Sequence, residues 1–206
     1  MPFFKHLDEH ADITDLLFAD RKRLGHTDKL TQAVMRGKSP FSEAERELMA
    51  AYVSGLNACQ YCHGIHSAVA RNFGVEAKLI DALLEDIDSS PVPERLKPVF
   101  QYLKKLTLSP SQVMQADVDA VLAANWTEEA VYHAILVCSL FNFYNRLLDG
   151  HGIKGRAFIY EYGGEHLHKR GYLFPRFLDL MKKRLRKNKL KKMAEIEGTP
   201  DPVQRH

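Results

Sequence analysis

Three cysteines in a chain of 206 residues are too few for a disulfide scaffold. Apolar runs are short as well. The longest, around Ala134–Phe141, is broken by Ser139 and falls far below the roughly 20 apolar residues of a membrane span. Asp8 and Glu9 stand where a secretory leader would be apolar, which predicts a cytoplasmic, unprocessed chain with no membrane partner. No segment combines two-residue alternation with β-branched enrichment, so strands are not needed. Acid is absent from Lys182–Lys192, which holds eight lysines and arginines. Without them the formal net charge of +3 becomes negative, so the body is mildly acidic and carries a basic tail over 181–206. That tail could meet nucleic acid, an anionic membrane or an acidic neighbouring subunit. A solvated terminal helix is the preferred reading, nucleic acid is not an expected partner, and Glu197–His206 reads as disordered.

What is present is helical periodicity, with 45% hydrophobic composition suited to one helical domain over 1–180. Ser42 and Glu45 form a capping box, the first clear helix start. Phe41 stands where a hydrophobic staple would begin, but its partner position is Arg46. The helix that follows places Leu48, Ala51, Tyr52, Gly55 and Leu56 on one stripe and ends at Gly55–Asn57, where the chain turns back. A second helix opens near Cys59 and runs to Phe73, with Gly74 at its C′ position. Further helices are expected over Glu76–Leu84, Leu96–Leu106, Asp117–Ala124 and Thr127–Asp149. A shift of 85 residues aligns Phe41 with Trp126, Asn57 with Asn142 and His66 with His151. In this degenerate copy, 126–155, Tyr132, Tyr144 and Leu147 stand opposite Glu47, Cys59 and Cys62, so it would keep the scaffold and lose the chemistry. The fold class is therefore all-α, with two pseudo-repeated helical lobes as one form of it.

The chemistry concentrates in the core motif, 42–74. Cys59 and Cys62 are i,i+3 and Cys62 and His66 are i,i+4, so one helix face carries all three. Three mechanisms compete for them. In thiol redox chemistry, the helix start favours the reactive thiolate, one sulfur attacks and the other resolves. His66 is then placed to accept the Cys62 proton, and Glu47 orients the histidine if the turn brings it close. Cys59–His63 also matches the C-x-x-C-H pattern of haem attachment, which normally needs export. Zinc could use Cys59, Cys62, His66 and His63, but no second cluster closes a tetrahedral site. The bland reading is two small buried residues beside a core histidine.

Glu47, eleven residues, Cys59-x-x-Cys62, three residues and His66 together resemble the signature of the AhpD-like alkylhydroperoxidases, within the carboxymuconolactone decarboxylase superfamily. Trp126–Gly155, with its Phe141–Arg146 run, resembles the longer peroxidase-related branch. The resemblance implies an AhpD-like helical fold, homo-oligomers such as trimers or hexamers, and a thiol-dependent peroxidase that needs no haem, metal or other cofactor. It implies that Cys62 is the peroxidatic cysteine, deprotonated through His66 and Glu47 with a water between them. Cys59 would resolve the sulfenic acid, and a dithiol reductant or partner redox protein would reduce the resulting disulfide. One departure is Tyr61, where relatives carry a histidine between the cysteines; His63 points elsewhere on the helix. The superfamily's decarboxylases lack the cysteine pair, which argues against that reaction.

Other residues are weaker candidates. Cys138 reads as an inert core residue, and His133 and His151 as possible pocket residues. Phe141, Phe143 and Tyr144 read as core or subunit contact rather than ligand contact. The expected activity is thiol peroxidase on organic hydroperoxides. The rivals are a disulfide reductase that regenerates a separate peroxidase, and a redox-sensing binding protein whose cysteine pair switches a surface.

Overall fold

The computed structural model describes residues 1–173 and 178–197, and among these there is no strand. The helices in chain order are α1 (Ile13–Ala19), α2 (Arg21–Leu24), α3 (Thr27–Arg36), α4 (Glu43–Leu56), α5 (Gln60–Asn72) and α6 (Ala77–Glu85). They continue with α7 (Lys97–Leu108), α8 (Gln115–Ala123), α9 (Glu128–Gly150), α10 (Gly164–Arg170) and α11 (Leu178–Glu197). A wide π turn, Ile159–Gly163, leads into α10. The fold is all-α, and among the described residues no helix is long and apolar enough to cross a membrane. The chain end expected to be disordered lies outside the described residues, apart from Glu197.

α4 is the hub, packing against α3, α5, α6, α7 and α9. Its start follows the sequence signal: Ser42 Oγ accepts from the Glu45 amide, and Glu45 reaches back to the Ser42 amide at 2.7 Å. Phe41 is buried against Trp126 at 4.5 Å between ring centroids. Arg46, where a staple partner would stand, instead turns its guanidinium onto the carbonyls of Val34 and Gly37, 2.8 Å each, and so ties the α3–α4 connection to α4. The expected single stripe understates the helix, because every residue from Arg46 to Ser54 is buried. Ala50, Ala51 and Ser54 are small, which lets neighbours close on the faces that the stripe leaves open.

The turn after α4 is not made where its glycine suggested. Gly55 lies inside the last turn, and a Cβ there would collide with Leu84 of α6. The left-handed residue is Ala58, with φ of 54°. The Ala58 amide donates to the Gly55 carbonyl and the Cys59 amide to the Ser54 carbonyl, the paired bonds of a Schellman ending. Cys59 then serves as the N-cap of α5, so two helices meet across a single left-handed residue. At its far end α5 stops against Gly74, as expected.

Residues paired by the 85-residue shift touch each other: Phe41 packs on Trp126, and Asn57 Nδ2 donates to Asn142 Oδ1 at 3.1 Å. α4 and the first half of α9 thus lie side by side in the same direction. The difference is at the break. α9 continues unbroken through the position equivalent to Ala58 and carries Tyr144, Asn145 and Leu148 beneath α5.

The basic tail is not simply solvated. Within α11, Arg186 pairs with Asp8 at 2.5 Å and also with Asp15, and Lys189 pairs with Asp12 at 2.8 Å. Met193 and Ala194 are buried. The acids lie about 170 residues away along the chain, so the pairing could not be read from the basic run itself. Replacing Ser42 with Ala removes the α4 cap and is expected to lower stability by about 1 kcal/mol in urea unfolding, with reduced thiol content unchanged.

Candidate active site

Glu47 sits in the middle of α4 with no accessible surface, so its charge must be met by the protein. Three groups from three separate segments meet it. His66 Nδ1 donates to Oε2 at 2.7 Å, Arg36 Nη1 lies 2.7 Å from Oε1, and the Tyr172 hydroxyl donates to Oε1 at 2.6 Å. Burial would raise the carboxyl. The His66 hydrogen bond, the charge of Arg36 and the Tyr172 hydroxyl outweigh it, and hold Glu47 below its ordinary value. The Glu47–His66 contact that sequence left conditional is therefore present, and it is direct. With Nδ1 committed to a carboxylate, Nε2 is the ring nitrogen left to accept a proton.

The Schellman turn and the α5 cap place the two thiols. Both are reduced and buried, Cys59 at 0% exposure and Cys62 at 3%. Their environments differ. Burial, and then the neighbouring Cys59, push the Cys62 thiol well above its ordinary value, with the Asn145 amide opposing. Cys59 is held below its own value, first by the hydrogen bond from the Cys62 thiol, against its burial. Cys62, the thiol that burial pushes up, is the one that needs a base to take its proton. Asn145 is itself fixed by donating to Ser54 Oγ at 3.0 Å and accepting from Asn57 at 2.9 Å.

Cys62 and His66 line one cavity of about 70 Å³, and Cys59 does not. Among the described residues no side-chain hydrogen bond joins Cys62 to His66; they share the cavity wall. The volume has room for a few waters or the reacting end of a small molecule, and none for a porphyrin. The other walls are mostly apolar, including Ile13, Leu17, Ile65 and Leu148. Phe141 and Tyr144, expected only to pack the core or an interface, line this cavity too. Phe141 stands edge-on to His66 at 4.4 Å, and Tyr144 donates to Thr31 at 2.7 Å. The unbroken α9 accounts for this, since it passes directly under α5. His133 and His151 lie elsewhere: His151 Nδ1 donates to the Leu147 carbonyl, and His133 packs beside Tyr132. Cys138 is buried between Thr107 and Asn142, 3.3 Å from each.

His63 Nδ1 is turned onto the Ala51 carbonyl at 3.0 Å, and His66 Nδ1 onto Glu47. Among the described residues no group of three or more His, Cys, Asp or Glu side chains could hold a metal ion. Tyr61 is buried, and its hydroxyl accepts from the Ile13 amide at 3.4 Å, so it ties the α1 start to the cavity wall. Arg36 and Tyr172 escaped the sequence reading. Neither belongs to the spaced motif, and only the fold brings them to Glu47.

The sequence profile of the carboxymuconolactone decarboxylase family matches residues 25–90, from the end of α2 to just beyond α6. No curated protein matches the chain. Among solved structures, an AhpD-core, peroxidase-related protein from Ralstonia eutropha is similar over 70% of this chain and 76% of its own, with a TM-score of 0.65 and 19% identity. A peroxidase-related protein from Silicibacter is similar over 75% and 90%, with a TM-score of 0.62 and 22% identity. A protein of unknown function from Agrobacterium tumefaciens gives 0.59 over 69% and 97%, at 16% identity. The chain thus has an AhpD-like fold, and its segment 25–90 is similar to the carboxymuconolactone decarboxylase family.

Glu47 yields a pH prediction. Its folded carboxyl releases its proton more readily than in the unfolded chain, whose ordinary value is 4.5. Its contribution is therefore complete above that pH and is lost as pH falls below it. In denaturant unfolding from pH 7 to pH 3, Glu47→Gln is expected to be less stable at neutral pH by about 3–5 kcal/mol, because Arg36 loses its buried partner. Its decline below pH 4.5 should be flatter than that of the native chain.

Proposed function

We propose that this protein is a thiol-dependent peroxidase acting on organic hydroperoxides through Cys62, Cys59, His66 and Glu47. The observation that carries the reading is the asymmetry of the pair: Cys62 shares an apolar cavity with His66, while Cys59, fully buried at the helix cap, does not reach it. The AhpD-like fold, and solved neighbours described as peroxidase-related, support the same class.

In this mechanism His66, oriented by Glu47, takes the Cys62 proton at Nε2. The thiolate attacks the outer oxygen of the peroxide. An S–O bond forms, the O–O bond breaks, and the alcohol leaves with a proton returned from His66. The product at Cys62 is a sulfenic acid. The Cys59 thiol gives up its proton as its sulfur attacks that sulfur; the S–S bond forms, the S–O bond breaks, and the hydroxide leaves as water carrying that proton. An external dithiol then reduces the disulfide and completes the cycle.

The buried pair favours a small substrate over a protein disulfide, because neither sulfur offers a surface on which another protein could dock. Homo-oligomers suit the exposed aromatic side chains on α9, with Tyr132 57% and Phe143 42% accessible in the single chain. One equivalent of an organic hydroperoxide added to reduced protein should consume two thiols and give a Cys59–Cys62 bridge by mass spectrometry. Cys62→Ser should abolish the reaction, and Cys59→Ser should leave a trapped sulfenic acid. Full peroxide reaction in both variants would sink the cysteine mechanism.

A further inference from the structure

Two groups at the site have no part in the thiol chemistry, yet both end on Glu47. We infer that Arg36 and Tyr172 are positioning residues that give Glu47 its counter-charge and its third donor, so that His66 is held in place without having to carry the balancing charge itself. The inference deepens the peroxidase reading and rests on it for the role of His66, although the clamp belongs to the resting protein.

The argument is one of charge. A carboxylate with no accessible surface needs a cation beside it. In an isolated Glu–His pair the imidazole must be that cation, and an imidazolium has no lone pair with which to take the Cys62 proton. Arg36 removes the demand. Its side chain is 8% exposed, it lies 2.7 Å from Oε1, and a guanidinium stays charged throughout the working pH range. Tyr172 fills the remaining position on Oε1. Its ring stacks at 17° to the His66 ring with centroids 6.2 Å apart, and the Arg36 guanidinium lies over it at 5.0 Å. It therefore orients carboxylate, imidazole and guanidinium together.

The fold delivers both groups from one surface. Gln32 and Arg36 are i,i+4 on α3. Gln32 Oε1 accepts the Tyr172 amide at 2.7 Å, and Arg36 Nη2 donates to the Leu167 carbonyl at 3.2 Å. Between those anchors Gly171 is left-handed at φ 69°, and a Cβ on it would collide with the Gln32 amide. Other titratable groups also face the cluster. Asp28 of α3, Tyr61 and Cys62 of α5 and Tyr144 of α9 line the cavity, and Glu43 of α4 lies 3.6 Å from Arg36 at 40% exposure. All of these are unchanged in the variants below, so the comparison isolates Arg36 and Tyr172.

The test is an NMR titration of the imidazoles in the reduced, full-length, isotope-labelled chain. A His66→Gln sample identifies the His66 signal among the ten histidines. In Arg36→Gln the His66 titration midpoint is expected to rise by about one pH unit or more, because the imidazole must now neutralise Glu47. Arg36→Lys should keep it near the native value. Tyr172→Phe, which keeps the shape and removes one donor, should raise it by a smaller amount. Unmoved midpoints in folded R36Q and Y172F would overturn the inference. If R36Q does not fold, Y172F decides alone, with a rise supporting the clamp and no change overturning it. Thiol loss to hydroperoxide, measured on the same samples, separates the two readings. Shifted midpoints in a chain inert to peroxide keep the clamp and remove the peroxidase, whereas native peroxide reaction with unmoved midpoints removes only the clamp.

Discussion

The ionised carboxyl of Glu47 constrains the rest of the molecule. An ion without access to water costs several kcal/mol unless its charge and lone pairs are met. Here they are met by Arg36, His66 and Tyr172, which arrive from α3, α5 and the segment after α10. These three segments are therefore held in fixed relation to α4 by a polar contact as well as by apolar packing. The same contact orients the histidine that faces the cavity. Structural and chemical demands fall on one atom group, which is why its surroundings are so fully occupied.

A second constraint lies in the junction of α4 and α5. A left-handed alanine costs about 1–2 kcal/mol relative to a glycine in such a turn. Ala58 accepts that conformation while the amides on either side of it find carbonyls in α4. The junction sets Cys59 at the cap and Cys62 one turn inside, and this small step separates a thiol screened from the cavity from one that lines it. The equivalent stretch of α9 lacks the break. It supplies wall and support instead, through Phe141, Tyr144, Asn145 and Leu148.

The basic α11 plays an internal part. Arg186 and Lys189 bind the acids of the N-terminal segment, from which Ile13 and Leu17 reach the cavity. Charge that suggested an external partner is spent in part on holding one wall of the site. Exposed pairs of this kind are individually worth little, but Lys189 and Asp12 are largely buried and mutually anchored.

Much of this protein was legible in the residues themselves. The capping box at Ser42, the glycine stop at Gly74 and the 3.6-residue periodicity determined the principal helices, because those signals act within one or two turns of chain. The spacing of Cys59, Cys62 and His66 put all three on one helix face, since i,i+3 and i,i+4 residues share a face whatever the rest of the chain does. Only the tertiary structure decided what meets that face. Gly55 was taken by a neighbouring helix and left the turn to Ala58; α9 ran on and brought Phe141 and Tyr144 to the cavity; Arg36 and Tyr172 closed on Glu47 from positions 136 residues apart. Local hydrogen bonds are fixed by neighbours in sequence, whereas the compensation of a buried charge depends on whichever donors the packed helices bring to it.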